Sequence, residues 1–338
     1  MTSHQTERGR AAALGRTLGL AALPLVAWLG WTLYSRLRIP HDLTPPPALD
    51  AERRTLDGRA GPVNVYVAGS GAPLLLVHSV NAAASAYEVR PLFEHYRASR
   101  RVYALDLPGF GFSRRSDRDY TPRLMTDALH DVLDEIALES GEERVDALAL
   151  SLGGEFLARA ATERRERFRS VTLVTPTGFG KNEQFYGGFG STRGRPGVKR
   201  AFENPLWAQP FYDALASAPS LRYFLRLTFG SSAAVDEGLL RYDYPTSHVP
   251  GARHAPFSFI GGLLFSADID RVYEALTVPV WLAYGTRDRF TDFGDLSNVE
   301  RRPNWTFDRF ETGALAYFEQ PGPFISAYDA FLRRAGAN

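Results

Sequence analysis

Short apolar runs alternate with helical patterns along most of the chain. Residues 121–140 carry apolar side chains at three- to four-residue spacing, which predicts an amphipathic helix, and a second helix is predicted at 323–336. Strands that alternate with helices predict a mostly parallel central sheet with helices on both faces. The runs that predict strands are 63–69, 73–79, 101–107, 144–151, 170–176, 278–285 and 305–310.

The interval 177–272 interrupts this alternation. It is rich in Phe, Tyr, Gly and Pro, and its pattern is helical or irregular. We therefore predict a helical cap inserted over the carboxyl edge of the sheet, where open α/β sheets bind ligands. The core of the fold is then formed by 51–176 and 273–338.

The N-terminal region has a different pattern. Leu18–Tyr34 contains no charged residue and is just long enough to cross a bilayer core of roughly 30 Å. Trp28 and Trp31 lie towards one end, as membrane-interface aromatics do. We predict a 1–17 tail, a transmembrane anchor at 18–35 and a proline-rich spacer at 36–50.

Two alternatives to an anchor remain open, namely a cleaved signal peptide and an amphipathic or buried helix. Basic residues flank the apolar run on both sides, with a slight excess before it. We therefore expect a single-pass membrane protein whose soluble domain lies on the extracytoplasmic side.

Composition narrows the possible chemistry. The chain has 338 residues, a formal net charge of +1 and no cysteine. Thiol nucleophiles, disulfides and thiolate metal sites are thereby excluded, and nothing in the charge favours a nucleic-acid partner. No spacing of His, Asp and Glu is typical of a metal site, so neither a metal nor another cofactor is expected.

The strongest local signal for chemistry is ALALSLGGEF, which spans Ala147 to Phe156. An apolar strand runs into Ser151, and a helical pattern starts directly after it. This context is typical of a nucleophile elbow, in which a sharp turn exposes a serine at the sheet edge. Gly153 supplies a small residue where strand and helix approach each other, and Ala149 stands where a glycine is usual. The alternative is a serine that caps an ordinary helix.

Three more stretches carry a resemblance to a known family. LLLVHS ends in His78, ALDLPGFGFS follows the next strand, and YGTRD ends in Asp288 after a later strand. With the elbow, these motifs resemble the α/β-hydrolase family over roughly residues 60–338. The resemblance implies an α/β-hydrolase fold and a serine-centred acyl chemistry.

The resemblance also implies roles for single residues. Ser151 falls at the nucleophile position, and the amide of Leu152 would donate to an oxyanion. The second oxyanion donor would be the amide of Val80, although the longer loop here leaves Asn81 as an alternative. Asp288 matches the acid that orients the histidine, with Asp292 as the fallback.

The family's histidine position is occupied by another residue. In TGALAYFEQP, Gly313, Glu319 and Pro321 stand in the family's register, and Ala314 occupies the place of the histidine. No histidine follows His254, so sliding the alignment does not supply one. A serine hydroxyl without a neighbouring base is a weak nucleophile.

Two histidines of the predicted cap are candidates for a relocated base. His254 is the first choice and His248 the second, because a cap segment over the sheet edge could bring either ring to Ser151. The alternative is that both serve only in cap packing. The other histidines are expected in the tail, in the spacer, or in structural positions: His4, His41, His78, His95 and His130.

Two functions from different classes follow. The first is a membrane-anchored serine hydrolase for an ester or other acyl bond of a small apolar substrate, with its base relocated to the cap. The second is a catalytically inactive relative that binds a small apolar ligand or a protein partner. A deliberate histidine-to-alanine substitution would explain Ala314 but not the other departures from the family pattern.

Overall fold

One eight-stranded sheet organises this computed structural model, which describes residues 26–180, 187–195, 197–291, 293–294 and 296–336. The strand order is β1-β2-β4-β3-β5-β6-β7-β8. β2 pairs antiparallel with β1 and β4, and every other pairing is parallel, which confirms the predicted mostly parallel sheet. The strands are β1 (Glu52–Gly58), β2 (Gly61–Ala68), β3 (Pro73–Val77), β4 (Arg101–Asp106), β5 (Val145–Leu150), β6 (Phe168–Val174), β7 (Val280–Gly285) and β8 (Trp305–Phe310).

Both faces of this sheet are buried. Along β3, Leu75 and Val77 enter one apolar cluster, while Leu74 and Leu76 enter a second cluster on the opposite face. Successive side chains of a strand point to opposite faces of the sheet, so residues on each face are two positions apart. A strand buried on both faces therefore needs apolar residues at every position. The helices predicted on both sides of the sheet cover these two clusters.

The helix predicted from the clearest apolar periodicity, at 121–140, is present in the structure. The helix Pro122–Ser140 begins after Thr121, whose side chain accepts from the Leu124 amide, and ends at Gly141, whose φ of 67° is left-handed. The helices are α1 (residues 26–38), α2 (Arg90–Tyr96), α3 (Pro122–Ser140), α4 (Gly153–Glu163), α5 (Val198–Phe202), α6 (Ala208–Leu215), α7 (Ala218–Thr228), α8 (Glu237–Thr246), α9 (His254–Ile260), α10 (Ile269–Ala275), α11 (Ser297–Glu300), α12 (Ala316–Glu319) and α13 (Pro321–Gly336).

Helices α5 to α10 lie between β6 and β7 in the chain; α5 to α9 fall within the interval predicted as a cap, and α10 runs past its predicted end at residue 272. Part of this insertion has an apolar cluster of its own, which includes Tyr212 and Phe257. A buried ion pair ties the insertion to the core, since Arg159 on α4 reaches Asp268 over 2.5 Å. The cap is therefore attached both by its chain ends and by a charged contact.

The N-terminal segment packs on the cap. The indole N–H of Trp31 donates to the carbonyl of Pro210 over 2.7 Å, and the hydroxyl of Ser35 donates to the carboxylate of Asp213 over 2.5 Å. His41 lies 2.9 Å from the same carboxylate, which is almost fully buried. The contacts join α1 and the following residues to α6, about 180 positions away in the sequence.

The predicted spacer also has fixed contacts. The Leu43 amide donates to the His248 carbonyl over 3.0 Å, and the Ala48 amide donates to the Tyr66 hydroxyl over 3.0 Å. The hydroxyl of Tyr242 donates to the carbonyl of Pro46 over 3.0 Å. Instead of holding the domain away as a separate extended link, these residues lie against both the cap and the core.

No helix within the described part of the chain is both long and apolar enough to cross a membrane. Residues 18–25 of the predicted anchor lie outside the described residues, and α1 contains only its second part. The anchor at 18–35 stays a prediction.

Candidate active site

Ser151 stands in a strained turn between β5 and α4. Its φ of 51° is left-handed, a conformation that costs a residue with a side chain about 1–2 kcal/mol. The Ser151 amide donates to the Val174 carbonyl over 2.8 Å, and its own carbonyl accepts from Gly154 over 2.9 Å. The predicted strand–turn–helix at this serine is present, and a strained turn of this kind is typical of functional sites.

Close packing behind the turn explains its small residues. A β-carbon on Gly153 would lie 2.4 Å from the carbonyl oxygen of His78, so no side chain fits there. Ala149 is fully buried and pairs with Val77 and Leu173 on the two neighbouring strands. The extra methyl of Ala149 is thus accommodated within the sheet.

The two backbone amides that the family resemblance implies as oxyanion donors are unpaired. Within the described part of the chain, the amides of Leu152 and Val80 have no hydrogen-bond acceptor. Unpaired amides next to a nucleophile are what an oxyanion hole requires. The structure leaves both predicted donors available for this role.

Glu88 fixes the loop that carries Val80. Its buried carboxylate accepts from the Ser79 amide over 2.8 Å, from the Ser79 hydroxyl over 3.0 Å and from the Asn81 side chain over 2.6 Å. Burial raises the pKa of Glu88. The side-chain oxygen of Asn81 accepts from Ala83, so both ends of that amide are already used within the loop. Sequence analysis did not single out Glu88, because only the folded loop brings it to Ser79.

His78 is held in one protonation state. Its Nε2 lies 2.9 Å from the Leu107 amide, and its Nδ1 lies 2.6 Å from the Ser79 carbonyl. Since an amide only donates and a carbonyl only accepts, the proton must be on Nδ1. Burial lowers the pKa of His78 to about 3. Both ring nitrogens are occupied, so His78 orders the loop instead of serving as a base.

Asp288 lies just after β7, and its carboxylate turns back onto its own loop. It accepts from the amides of Phe290 and Thr291, each over 3.1 Å, and from the Thr291 hydroxyl. Burial raises the pKa of Asp288, and these hydrogen bonds oppose the effect. The fallback acid, Asp292, lies outside the described residues.

The loop that carries Ala314 lies beside the loop of Asp288. The Arg287 amide donates to the Thr312 carbonyl over 2.8 Å, and the Arg287 side chain pairs with Glu319. Glu319 also accepts from the Gly313 amide over 2.6 Å. Ala314 itself is buried. The glycine and glutamate that set the register in the sequence are therefore bonded to each other.

His248 is buried at the end of α8, and its ring is already engaged. Nδ1 lies 2.7 Å from the Tyr244 carbonyl, and the ring stacks on Tyr244 with centroids 4.1 Å apart. Burial lowers the pKa of His248. The ring borders a cavity of about 190 Å³ shared with His41 and Tyr212.

His254 begins α9 and faces an acidic group. Its Nδ1 lies 3.4 Å from the carboxylate of Asp117 and makes no hydrogen bond within the described residues. Burial and the neighbouring Arg253 lower the pKa of His254.

Potential metal-binding atoms of Asp117, Glu203 and His254 all lie within 4.8 Å of one another. The sequence spacing gave no sign of this trio, which comes from three separate segments. Lys199 neutralises Glu203 over 2.7 Å.

The cap contacts the loop that carries Val80. The hydroxyl of Tyr212 on α6 donates to the Ala82 carbonyl over 2.9 Å.

A larger cavity of about 420 Å³ lies between spacer residues 43–45, the loop 111–116 and cap residues 249–250. Ser151 is not part of the lining of this cavity, and its side chain is half-buried. No hydrogen bond joins the Ser151 hydroxyl to another described residue.

Comparisons against known proteins agree with the fold described above. The model of the Alpha/beta hydrolase family matches residues 74–327, which is most of the chain. The chain belongs to the Alpha/beta hydrolase family. This membership confirms the fold that the sequence motifs predicted.

Relatives of known activity match more weakly. A 2-hydroxymuconate semialdehyde hydrolase of Pseudomonas sp. (strain CF600) is 31% identical over 117 residues, which are 34% of this chain and 40% of that protein. A pimeloyl-[acyl-carrier protein] methyl ester esterase of Legionella pneumophila (strain Paris) is 22% identical over 271 residues, covering 78% of this chain and 97% of that one. The chain spans less than half of the first of these relatives.

Solved structures share the fold at low identity. A serine hydrolase involved in carbazole degradation superposes with a TM-score of 0.66 at 17% identity, covering 83% of this chain and 98% of its own. A membrane phospholipase A described as a bacterial virulence factor superposes with a TM-score of 0.63 at 18% identity, covering 99% and 100%. At these identities the likeness establishes the fold alone.

Proposed function

We propose that this family member is membrane-anchored through residues 18–35 and cleaves an ester or other acyl bond of a small apolar substrate at Ser151. The observation that carries the proposal is the strained turn at Ser151, together with amides at Leu152 and Val80 that have no acceptor among the described residues. Fixed amides aimed at a developing oxyanion contribute about 3–4 kcal/mol each. The hydrolase and esterase names of the relatives support the same class of reaction.

The base in this proposal comes from the cap. We assign it to His254 first and to His248 second. Asp117 would orient the His254 ring through Nδ1 and leave Nε2 free to accept the serine proton. The lowered pKa of His254 keeps the ring neutral at pH 7. Catalytic hydrogen bonds of this kind often shorten only when substrate binds.

In this proposal Ala314 stands at the family's histidine position and Asp288 at its acid position. The adjacent loops support this assignment, because the Asp288 loop and the Ala314 loop are joined through Arg287. Asp288 then has no imidazole to orient, which is consistent with its bonds to Phe290 and Thr291.

A second function is favoured by the same contacts. The Asp288 carboxylate is satisfied within its own loop, and the Ser151 hydroxyl makes no hydrogen bond to a described residue. A protein with these features would bind an acyl ligand at the open amides without cleaving it.

Labelling with a fluorophosphonate probe distinguishes the two functions. An activated serine gives labelling that is lost in Ser151→Ala and reduced at least about tenfold in His254→Ala or His248→Ala, because a general base contributes about 10²–10⁴-fold. His95→Ala is the matched control, since His95 is an exposed histidine on α2. A folded protein that shows no labelling would refute cleavage and leave the binding function.

A further inference from the structure

The helix α1 has its polar contacts towards the protein and its apolar residues towards the outside. Trp31 and Ser35 meet α6 through their polar atoms. On the other side, an outward stripe of Val26, Leu29, Leu33 and Leu37 is between 57% and 70% exposed. A helix on the surface of a soluble domain normally has the opposite arrangement.

The spacing of these residues shows that the outward stripe is a single surface. At about 100° per residue, the four members fall within an arc of roughly 80°. Trp31 and Ser35 lie on the opposite half of the helix. The protein therefore covers one side of α1 and leaves a continuous row of aliphatic side chains uncovered.

The surroundings of the outward stripe indicate what covers it. The uncharged run that starts at Leu18 continues without interruption into α1, so the chain on the N-terminal side is as apolar as the stripe. At the other end, Arg36 and Arg38 are exposed and form no ion pair with any described residue. The apolar residues would contact the acyl chains of a bilayer, and the unpaired basic residues would lie at the level of its anionic headgroups.

The cap residues just before α6 are also apolar and exposed. Leu206, in the turn before α6, is 70% exposed, and Trp207 follows it. This turn stands directly before the helix that receives Trp31 and Ser35. The exposed leucine therefore lies four residues before Pro210, the residue to which Trp31 of α1 donates its hydrogen bond.

We propose that lipid covers the outward stripe, so that α1 lies in the bilayer interface and its opposite side holds the cap against the membrane surface. This proposal rests on the anchoring stated above and adds which side of the soluble domain meets the lipid. The helix α1 is only about 20 Å long, which is shorter than the hydrocarbon core of roughly 30 Å, so it contacts the lipid without crossing the bilayer by itself.

The absence of cysteine from the chain allows a direct test. Leu33→Cys, Leu37→Cys and Leu138→Cys each carry one nitroxide on the full chain, reconstituted in vesicles of equal parts phosphatidylcholine and phosphatidylglycerol. Leu138 is the matched control, because it is an 84% exposed leucine on α3. We expect the labels at 33 and 37 to collide several-fold more with oxygen and several-fold less with a water-soluble nickel chelate than the label at 138.

Two results would overturn the proposal while anchoring stands. In the first, the protein sediments with the vesicles but all three labels are equally accessible to nickel. In the second, dipolar broadening at 33 reports a second copy on the stripe. If the chain fails to sediment with vesicles at all, the anchoring itself is refuted, and the fluorophosphonate result for Ser151 is unaffected.

Discussion

The hydroxyl of Thr175 donates a hydrogen bond to the carbonyl of Ala314 over 2.9 Å. Thr175 has a left-handed φ of 45°, and its amide donates to Ala283 over 2.8 Å. On the other side, the Ala314 amide donates to the Thr228 carbonyl over 2.8 Å. The backbone at Ala314 is therefore fixed by the core and by the cap together, and a side chain at this position has a defined direction.

This fixed backbone makes Ala314→His an informative change. If the open amides and Ser151 form a competent site, a histidine here should raise hydrolysis of a short-chain p-nitrophenyl ester by about 10²-fold in a His254→Ala, His248→Ala background, because it then supplies the general base that the cap no longer provides. The gain should vanish when Ser151→Ala is added. A variant that folds, by its melting temperature, and shows no gain would contradict the assignment of Ala314 to the histidine position.

Gly153→Ala should destabilise the protein. Its new β-carbon would meet the His78 carbonyl at 2.4 Å, and forcing strand and helix apart costs about 1–3 kcal/mol. Urea unfolding measures the difference. The control is Gly322→Ala in α13, where nothing lies within 4 Å of the added carbon and the free energy of unfolding should not fall. Equal stability of the two variants would refute the close approach.

Arg159→Met should loosen the cap. The change leaves the carboxylate of Asp268 buried without its cation, and losing one partner of a buried pair costs about 3–5 kcal/mol. Chemical denaturation measures this cost, and limited proteolysis locates the loosened segment in the cap. The double variant with Asp268→Leu should recover much of the stability, since it removes the unpaired charge. A double variant no more stable than the single one would contradict this account.

Asp243 should give the protein a pH-dependent stability. Burial raises its pKa well above 3.8, with Glu88 and Asp236 adding repulsion. The folded state then holds a proton that the unfolded state has released, so this contribution is complete below the unfolded pKa and is lost as the pH rises through the folded pKa. Asp243→Asn should leave stability at pH 4 unchanged and increase it by roughly 1–3 kcal/mol at pH 8.

Thermal unfolding from pH 4 to pH 8 checks this expectation, with the exposed Asp57→Asn as control. Asp57→Asn should follow the unmodified protein across the range. If Asp243→Asn follows it as well, the carboxyl group of Asp243 is not what makes stability depend on pH.

The sequence predicted those parts of the fold that local patterns determine. The helix Pro122–Ser140 and the turn at Ser151 were predicted because periodicity and small residues are visible within a few positions. The edge strand Glu52–Gly58 was missed, since it is polar and mostly exposed and exists through its pairing with β2. The contacts of Glu88 with Ser79 and of Asp213 with α1 form only in the folded chain, so no local sequence pattern predicts them.

The bonds of the spacer have a mechanical consequence. A free proline-rich linker would let a tethered domain rotate through many angles relative to its attachment, at little cost in free energy. Here the hydrogen bonds from Leu43 to His248 and from Ala48 to Tyr66 remove that rotational freedom. These bonds link the residues after the first helix to both the cap and the sheet, so a change in the direction of that helix would be passed to the serine edge of the sheet.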